Sequence, residues 1–218
     1  MSIRIIGTSH IAEESIRKVE QTISEWVPDV VAVELDNARL HALYQERRKV
    51  PLSAIGQLGL YGYLFQLLGG SLQRKLGESV NQKPGADMKA AVDAARKIGA
   101  QIALIDRPIQ VTLQKLKKLN IWEKLRLIGF LLRAFIPIGG KIELDLKKVP
   151  ESATLEDLVA ILKNEFPGLY KILVTERDLV LARNIKHLNA HLPDKKILVV
   201  IGAGHLKGVR QLLAKNNE

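Results

Sequence analysis

The sequence predicts an α/β fold with a mainly parallel sheet built from βαβ units. Short apolar runs alternate with amphipathic helical patterns at both ends of the chain, the order that parallel strands with crossover helices require. Of the 218 residues, 47% are hydrophobic, which is enough for one folded domain with insertions. The absence of cysteine excludes disulfides, thiolate metal ligands and a cysteine nucleophile.

The first βαβ unit begins the chain. Residues 2–7 form a short apolar run that ends at a glycine, and apolar residues in 13–26 recur at helical spacing. Pro28 and Asp29 then end the helix, and residues 30–33 form a continuous apolar run typical of a buried strand. We therefore expect two parallel strands joined by a right-handed helical crossover.

The same pattern returns in the second half of the chain. Residues 88–98 form an alanine-rich helical pattern, and residues 101–105 form an apolar run. A predicted helix over 176–191 leads into the strongly apolar run 196–201, and a short helix is predicted over 206–215. Together with the first unit, these elements predict four parallel strands flanked by helices.

Residues 45–80 and 112–170 are predicted to be mostly helical insertions on this core. Residues 50–73 carry no charge and are long enough to span a bilayer, but their Gly, Gln, Ser and Pro content disfavours a membrane span. Residues 113–126 combine lysines and an arginine with leucines and a tryptophan in a basic amphipathic pattern. The apolar faces of the insertions could pack on each other, on a second subunit or on a membrane.

The net charge of +10 indicates an anionic partner, either nucleic acid or a phospholipid surface. Aromatic residues make up 5% of the chain, so the stacking platforms used on single-stranded nucleic acid are scarce. No helix-turn-helix, RNP or zinc-finger pattern is present, so no specific nucleic acid is expected. A membrane surface is the favoured partner, and a merely solvated basic surface is the alternative.

A histidine follows both the first and the last predicted strand of the chain. The first strand ends in Gly7-Thr-Ser-His10, and the last ends in Gly202-Ala-Gly-His205. Ligands bind at the carboxyl ends of strands in open α/β sheets, and glycine there permits a positive φ angle and a close backbone approach. Such a turn can also aim N–H groups at an anionic ligand or an oxyanion. A single histidine is more often structural, but two such turns indicate a site.

The two middle strands add charged residues to the same edge. Glu34 follows the second strand with Arg39 shortly after it, and Asp106 and Arg107 follow the third strand. Glu34 comes after four apolar residues and is expected to be buried, where its charge requires a partner. Arg39 is the candidate partner, so a purely structural Glu–Arg pair is the alternative to a site. The remaining histidines lie on predicted helices and are interpreted as surface residues: His41, His187 and His191.

These motifs resemble those of the TraB/PrgY family, which includes bacterial pheromone-shutdown proteins and archaeal relatives. The similarity covers nearly the whole chain, and its blocks come in the expected order: 6–15, 28–36, 84–91, 106–112, 176–184 and 200–205. It extends to a wider set with the Tiki proteases, erythromycin-esterase-like enzymes and ChaN-like proteins. Because TraB/PrgY proteins usually continue into transmembrane helices, the resemblance implies a single domain over 1–218 that is the soluble part of a longer, membrane-associated protein.

The similarity to Tiki implies a metal-dependent hydrolase that cleaves peptides. In that hypothesis His10, Glu34 and His205 hold a divalent ion (Mn, Co or Zn), because two neutral imidazoles and a carboxylate suit such an ion. No HExxH helix accompanies them.

The resemblance assigns further roles around that centre. Asp87 or Glu176 would handle protons, and Arg39 or Arg107 would stabilise the oxyanion, while Arg177 belongs to a helix start that could face the same cleft. Asp87 stands where the family pattern has a glutamate, so its side chain is shorter by one methylene.

Other functional classes remain open from the sequence. A metal-free hydrolase, closer to the esterase-like relatives, would use one histidine as a base on water with a glutamate orienting it. A binding domain would sequester a peptide or pheromone in the same cleft without turnover. A membrane-surface or homo-oligomerisation domain would depend on residues 45–80 and 112–140 more than on the histidines.

Overall fold

A computed structural model describes residues 2–8, 13–45, 85–135 and 155–215. Within these ranges four strands form one sheet in the order β1-β4-β2-β3, and every neighbouring pair is parallel. The parallel α/β fold expected from the sequence is confirmed. The strands are β1 (Ser2–Thr8), β2 (Val30–Val33), β3 (Gln101–Leu104) and β4 (Lys196–Gly202).

Helices flank the sheet and connect its strands. Those before β4 are α1 (Glu13–Trp26), α2 (Asn37–Tyr44), α3 (Ala86–Lys97), α4 (Ile109–Lys117), α5 (Ile121–Phe135), α6 (Leu155–Glu165), α7 (Pro167–Tyr170) and α8 (Glu176–His191). A π-helical turn, Lys171–Thr175, joins α7 to α8. The last helix, α9 (Ala203–Ala214), begins three residues earlier than predicted, because the strand passes into the helix at Gly202 without a loop.

The strongly apolar run of β4 reflects its central position. Alternate side chains point to opposite faces of a strand, and both faces of this sheet are covered by helices. Leu198 and Val200 pack in the cluster that includes α1 and α3. Ile197, Val199 and Ile201 pack in the cluster that includes α8 and α9. A parallel strand covered on both sides therefore appears in the sequence as a continuous apolar run rather than an alternating one.

The topology places a switch point at the carboxyl edge of the sheet, where open α/β sheets form a crevice. The chain after β2 continues into α2, which packs with α1 and α3, whereas the chain after β4 enters α9 on the opposite face. Adjacent strands whose continuations leave on opposite faces create the switch point at which open α/β sheets bind ligands. The crevice between the ends of β4 and β2 is therefore the place to look for a site.

The predicted helical insertions are described only in part. The described portion of 112–170 is helical, as predicted, whereas the prediction for residues 45–80, including the uncharged run 50–73, lies outside the described residues except at residue 45. Among the helices that are described, none is both long and apolar enough to cross a membrane.

Candidate functional site

Glu34 closes the gap between the ends of β2 and β4. Its backbone N–H continues the sheet by donating to the carbonyl of Val200 at 3.1 Å, while Oε2 of its side chain accepts a 2.6 Å hydrogen bond from the N–H of Gly202. Gly202 directly precedes α9, and the N–H groups at a helix start favour negative charge. The side chain is buried, as predicted from the apolar residues before it.

Arg177, at the start of α8, neutralises Glu34. Its Nη2 donates to Oε1 of Glu34, and its Nε donates to Oδ2 of Asp106 at 3.0 Å. The prediction that Arg39 is the partner of Glu34 is therefore wrong. Arg39 instead bonds Asp36 at 2.9 Å and Asp106 at 2.7 Å, because Asp36 caps α2 and draws the arginine of the first helical turn toward itself.

Two carboxylates of this network, Asp36 and Asp106, are held in their charged form. Although burial favours the neutral acid, the hydrogen bonds and positive charges of Arg177 and Arg39 hold the pKa of Asp106 below its usual value. Burial likewise disfavours the charged form of Asp36, but hydrogen bonds from Arg39 and from the N–H of Ile109 lower its pKa. Burial works against the charge of Arg177, yet Glu34 and Asp106 raise its pKa further. Asp36, Asp106 and Arg177 are therefore charged at neutral pH.

His205 lies in the first turn of α9 and is oriented by Asp178. Its Nδ1 is 2.6 Å from Oδ1 of Asp178, and its Nε2 is 3.4 Å from Oε1 of Glu34. All three side chains are buried. Gly208, one turn further along α9, makes room for the aspartate, since a Cβ at that position would overlap the carboxylate of Asp178. The result is a buried line of carboxylate, imidazole and carboxylate.

Asp178 was not among the predicted site residues. It belongs to the Glu-Arg-Asp block of the family motif, and that block was the available signal. Helical spacing also places a small residue, Gly208, three positions after His205, which indicates a close neighbour on that side of the helix.

Arg107 and Glu176 form a second ion pair next to this line. Nη1 of Arg107 is 2.8 Å from Oε2 of Glu176, and Nζ of Lys115 is 3.0 Å from the same oxygen. Arg107 also donates to Thr112 at 3.0 Å and to the carbonyl of Ile172 in the π-helical turn at 2.6 Å. Although burial raises it, the pKa of Glu176 is lowered overall by Arg107 and Lys115. A lowered pKa disfavours proton transfer by Glu176 near neutral pH.

Asp87 contacts the first Gly-x-x-His segment from the start of α3. Its Oδ2 accepts a 2.6 Å hydrogen bond from Oγ1 of Thr8, and both side chains are fully buried. Thr8 is two residues before His10, which lies outside the described residues. The structure therefore ties Asp87 to the end of β1.

The glycine of the first motif acts by close approach rather than by a positive φ angle. Positive φ occurs at Gly85 and Gly99 among the described glycines, and φ at Gly202 is −60°, so that part of the prediction is wrong. The close approach is confirmed at Gly7, where a Cβ would lie 2.9 Å from Cδ2 of Leu206. Glycine at this position lets α9 pack directly on β1.

Two of the described side chains, His205 and Glu34, have the spacing of ligands to one divalent ion. No group of three or more metal-binding side chains occurs in the described part of the chain, but the predicted set includes His10. The 3.4 Å between Nε2 of His205 and Oε1 of Glu34 suits two adjacent ligands that are each roughly 2.1 Å from one ion. Asp178 on the other ring nitrogen matches the carboxylate that orients histidine ligands. His205 and Glu34 therefore fit such an ion.

The other histidines are on the surface, as predicted. His41, His187 and His191 are each exposed on their helices. The rings of His187 and His191 stack with their centroids 4.0 Å apart.

The fold and the buried polar cluster define an α/β protein with its candidate site at a switch point of a parallel sheet. This chain belongs to the TraB/PrgY/gumN family, whose model matches residues 1–218. It is 35% identical over 220 residues to an uncharacterized protein of Methanocaldococcus jannaschii, covering 98% of this chain and 53% of that protein. TraB domain-containing proteins of Mus musculus and Homo sapiens are each 29% identical over 235 residues, covering 96% of this chain and 62% of theirs. The chain thus spans little more than half the length of these relatives.

Proposed function

We propose that this chain is a metal-dependent hydrolase that cleaves peptides in the crevice between β4 and β2. The observation that carries the proposal is the buried line from Asp178 through His205 to Glu34. A carboxylate on Nδ1 fixes the ring and its tautomer, so that Nε2 is the nitrogen available for chemistry. The peptide substrate class is supported by the resemblance to Tiki alone.

In this proposal His10, Glu34 and His205 hold the ion. A divalent ion bound there supplies a Lewis acid that polarises the carbonyl of the scissile bond. Asp178 positions His205, and the hydrogen bond from Arg177 holds the carboxylate of Glu34 turned toward the imidazole. Arg39 is a better candidate than Arg107 for contact with an oxyanion, because the side chain of Arg39 is 28% exposed whereas that of Arg107 is 7% exposed.

A metal-free hydrolase is the second candidate, and one observation favours it. Both carboxylate oxygens of Glu34 accept hydrogen bonds, one from Arg177 and one from Gly202, so an ion would have to compete with the guanidinium. Without an ion, His205 would act as the base on water, and Asp178 rather than a glutamate would orient it.

Metal content distinguishes the two candidates. Wild type and His10→Ala/His205→Ala are stripped with a chelator, reloaded with Mn, Co or Zn and measured by mass spectrometry. The matched control is His187→Ala/His191→Ala, which also removes two imidazoles but from the exposed face of α8. We expect wild type and control to retain about one ion per chain, the number of sites at a single centre, and the site variant to lose it. Thermal unfolding checks that each variant is folded, and His205→Gln replaces alanine if it is not.

Turnover on a peptide library completes the test. Peptide cleavage that stops on chelation and returns with metal supports the proposal. Cleavage that continues without metal replaces it with the metal-free hydrolase. Peptide binding without cleavage would instead identify a binding domain that sequesters its ligand.

A further inference from the structure

The outward face of α5 is apolar. Trp122 is 75% exposed, Ile121 51% and Leu125 49%. Their spacing along the helix places them on one side of it. Half of the exposed large hydrophobic residues in the described ranges lie on this helix. We refer to Ile121, Trp122 and Leu125 together as the α5 surface.

The opposite side of α5 is fixed to the rest of the molecule. Oε1 of Glu123 accepts a 2.8 Å hydrogen bond from the N–H of Leu169, and Arg126 donates to the carbonyl of Glu165 at 3.0 Å. The ring of Phe130 packs edge-on against Phe166 with 5.7 Å between centroids. These contacts determine the rotation of the helix, so the exposure of Trp122 is a property of the folded molecule.

Basic residues border the α5 surface. Residues 113–130 contain five lysines and arginines and one acidic residue, and that acid, Glu123, is turned toward α7. Lys117 and Lys118 are exposed at the end of α4, next to the start of α5. Lys115 pairs with Glu176, so the segment combines an exposed tryptophan with two exposed lysines, Lys117 and Lys118.

The combination of exposed apolar side chains and neighbouring lysines favours one kind of binding partner. Nucleic acid would satisfy the lysines but leave Ile121 and Leu125 in water. A second copy of the chain would cover the apolar residues but would bring two positively charged segments together. An anionic lipid bilayer satisfies both requirements, because its headgroups attract lysine and arginine while the boundary with the acyl chains accepts tryptophan and aliphatic side chains.

We infer that the α5 surface docks this domain onto an anionic membrane. Trp122 inserts at the headgroup boundary, and Lys117 and Lys118 contact the lipid phosphates. This mode of attachment needs no membrane-spanning helix and no residue of the crevice, so it holds whether or not the proposed hydrolase activity does.

The two tryptophans of the chain provide a matched experiment. Trp26→Phe leaves Trp122 as the only tryptophan, and Trp122→Phe leaves Trp26, which packs under Arg4 at 4.6 Å near the amino edge of the sheet. Fluorescence is recorded with vesicles of phosphatidylcholine alone and of phosphatidylcholine with phosphatidylglycerol. With the anionic vesicles we expect the emission of Trp122 to shift to the blue and to be quenched by brominated lipid, while that of Trp26 does not change.

Vesicle flotation measures the binding itself. Lys117→Glu/Lys118→Glu should weaken binding to anionic vesicles by at least about tenfold, since several charges near the surface are reversed. Equal thermal unfolding of wild type and variant excludes a folding defect at these exposed positions.

Several outcomes would overturn the inference. These are an unshifted Trp122 emission, equal shifts of both tryptophans, and equal binding to neutral vesicles. Self-association in sedimentation that Trp122→Ser abolishes would assign the α5 surface to a second copy of the chain instead.

Discussion

At the level of single residues, Arg177 balances the charges of two carboxylates at the carboxyl edge of the sheet. It bonds Glu34 and Asp106, two buried carboxylates that come from different strands. Removing one partner of a buried ion pair leaves an uncompensated charge in a poorly polarisable interior, which costs far more than the loss of a surface pair. The effect of Arg177 on stability should therefore be separable from that of an exposed arginine.

Arg177→Met tests this balance, because methionine removes the charge while keeping an unbranched side chain. We expect the free energy of unfolding to fall by about 3–5 kcal/mol. The control is Arg17→Met, which breaks the exposed pair with Glu13 on α1 and should cost less than about 1 kcal/mol. Urea unfolding at neutral pH measures both. Similar losses in the two variants would mean that Glu34 and Asp106 are stabilised by other groups.

At the level of elements, α9 combines two functions along its length. Its first turn presents His205 to Glu34, and its second turn leaves space at Gly208 for the carboxylate that orients this histidine. At the same time the helix approaches β1 at Gly7, so it has little freedom to move away. A side chain added at Gly208 must therefore displace Asp178 rather than the helix.

Gly208→Ala should separate Asp178 from His205 without changing any charged group. We expect a loss of about 1–3 kcal/mol in the free energy of unfolding from overpacking, together with loss of any turnover that depends on His205. Gly204→Ala is the matched control on the same helix, because its Cβ would meet only Cγ2 of Val159 at 3.9 Å. The higher helix propensity of alanine should leave that variant equally stable or more stable by up to about 1 kcal/mol. Comparable destabilisation of both variants would contradict the argument.

For the molecule as a whole, local patterns predicted the elements but not the contacts between them. The helix over 13–26 and the strand over 30–33 have the predicted bounds, because helical spacing and a continuous apolar run are signals carried by neighbouring residues. The partner of Glu34 was missed for the opposite reason. Arg177 is 143 residues away from it, and only the packing of α8 on the sheet decides that it, rather than the nearby Arg39, reaches Glu34.

Acid unfolding tests the charged network in the whole molecule. The pKa values of Asp36, Asp106 and Glu176 are lowered by folding. A carboxylate with a lowered pKa contributes stability above its unfolded pKa of about 4, and this contribution is lost as the pH falls through its folded pKa. Protonation of acidic groups also increases the net charge above +10, so repulsion adds to the loss. We expect the free energy of unfolding to decrease steadily below about pH 4.

Asp106→Asn isolates the buried part of this pH dependence. The variant lacks the contribution of Asp106 at neutral pH, so it should be less stable than wild type at pH 7. The difference should shrink below about pH 4, as the pH falls through the lowered pKa of Asp106 in the folded wild type. Salt should reduce the loss caused by net repulsion but leave this difference largely unchanged, because buried pairs are weakly screened. Urea unfolding of both proteins across this pH range, with and without added salt, measures the contribution of Asp106 and that of net charge repulsion. Parallel curves for wild type and variant would mean that Asp106 does not titrate with folding, and that the acid sensitivity comes from surface charge.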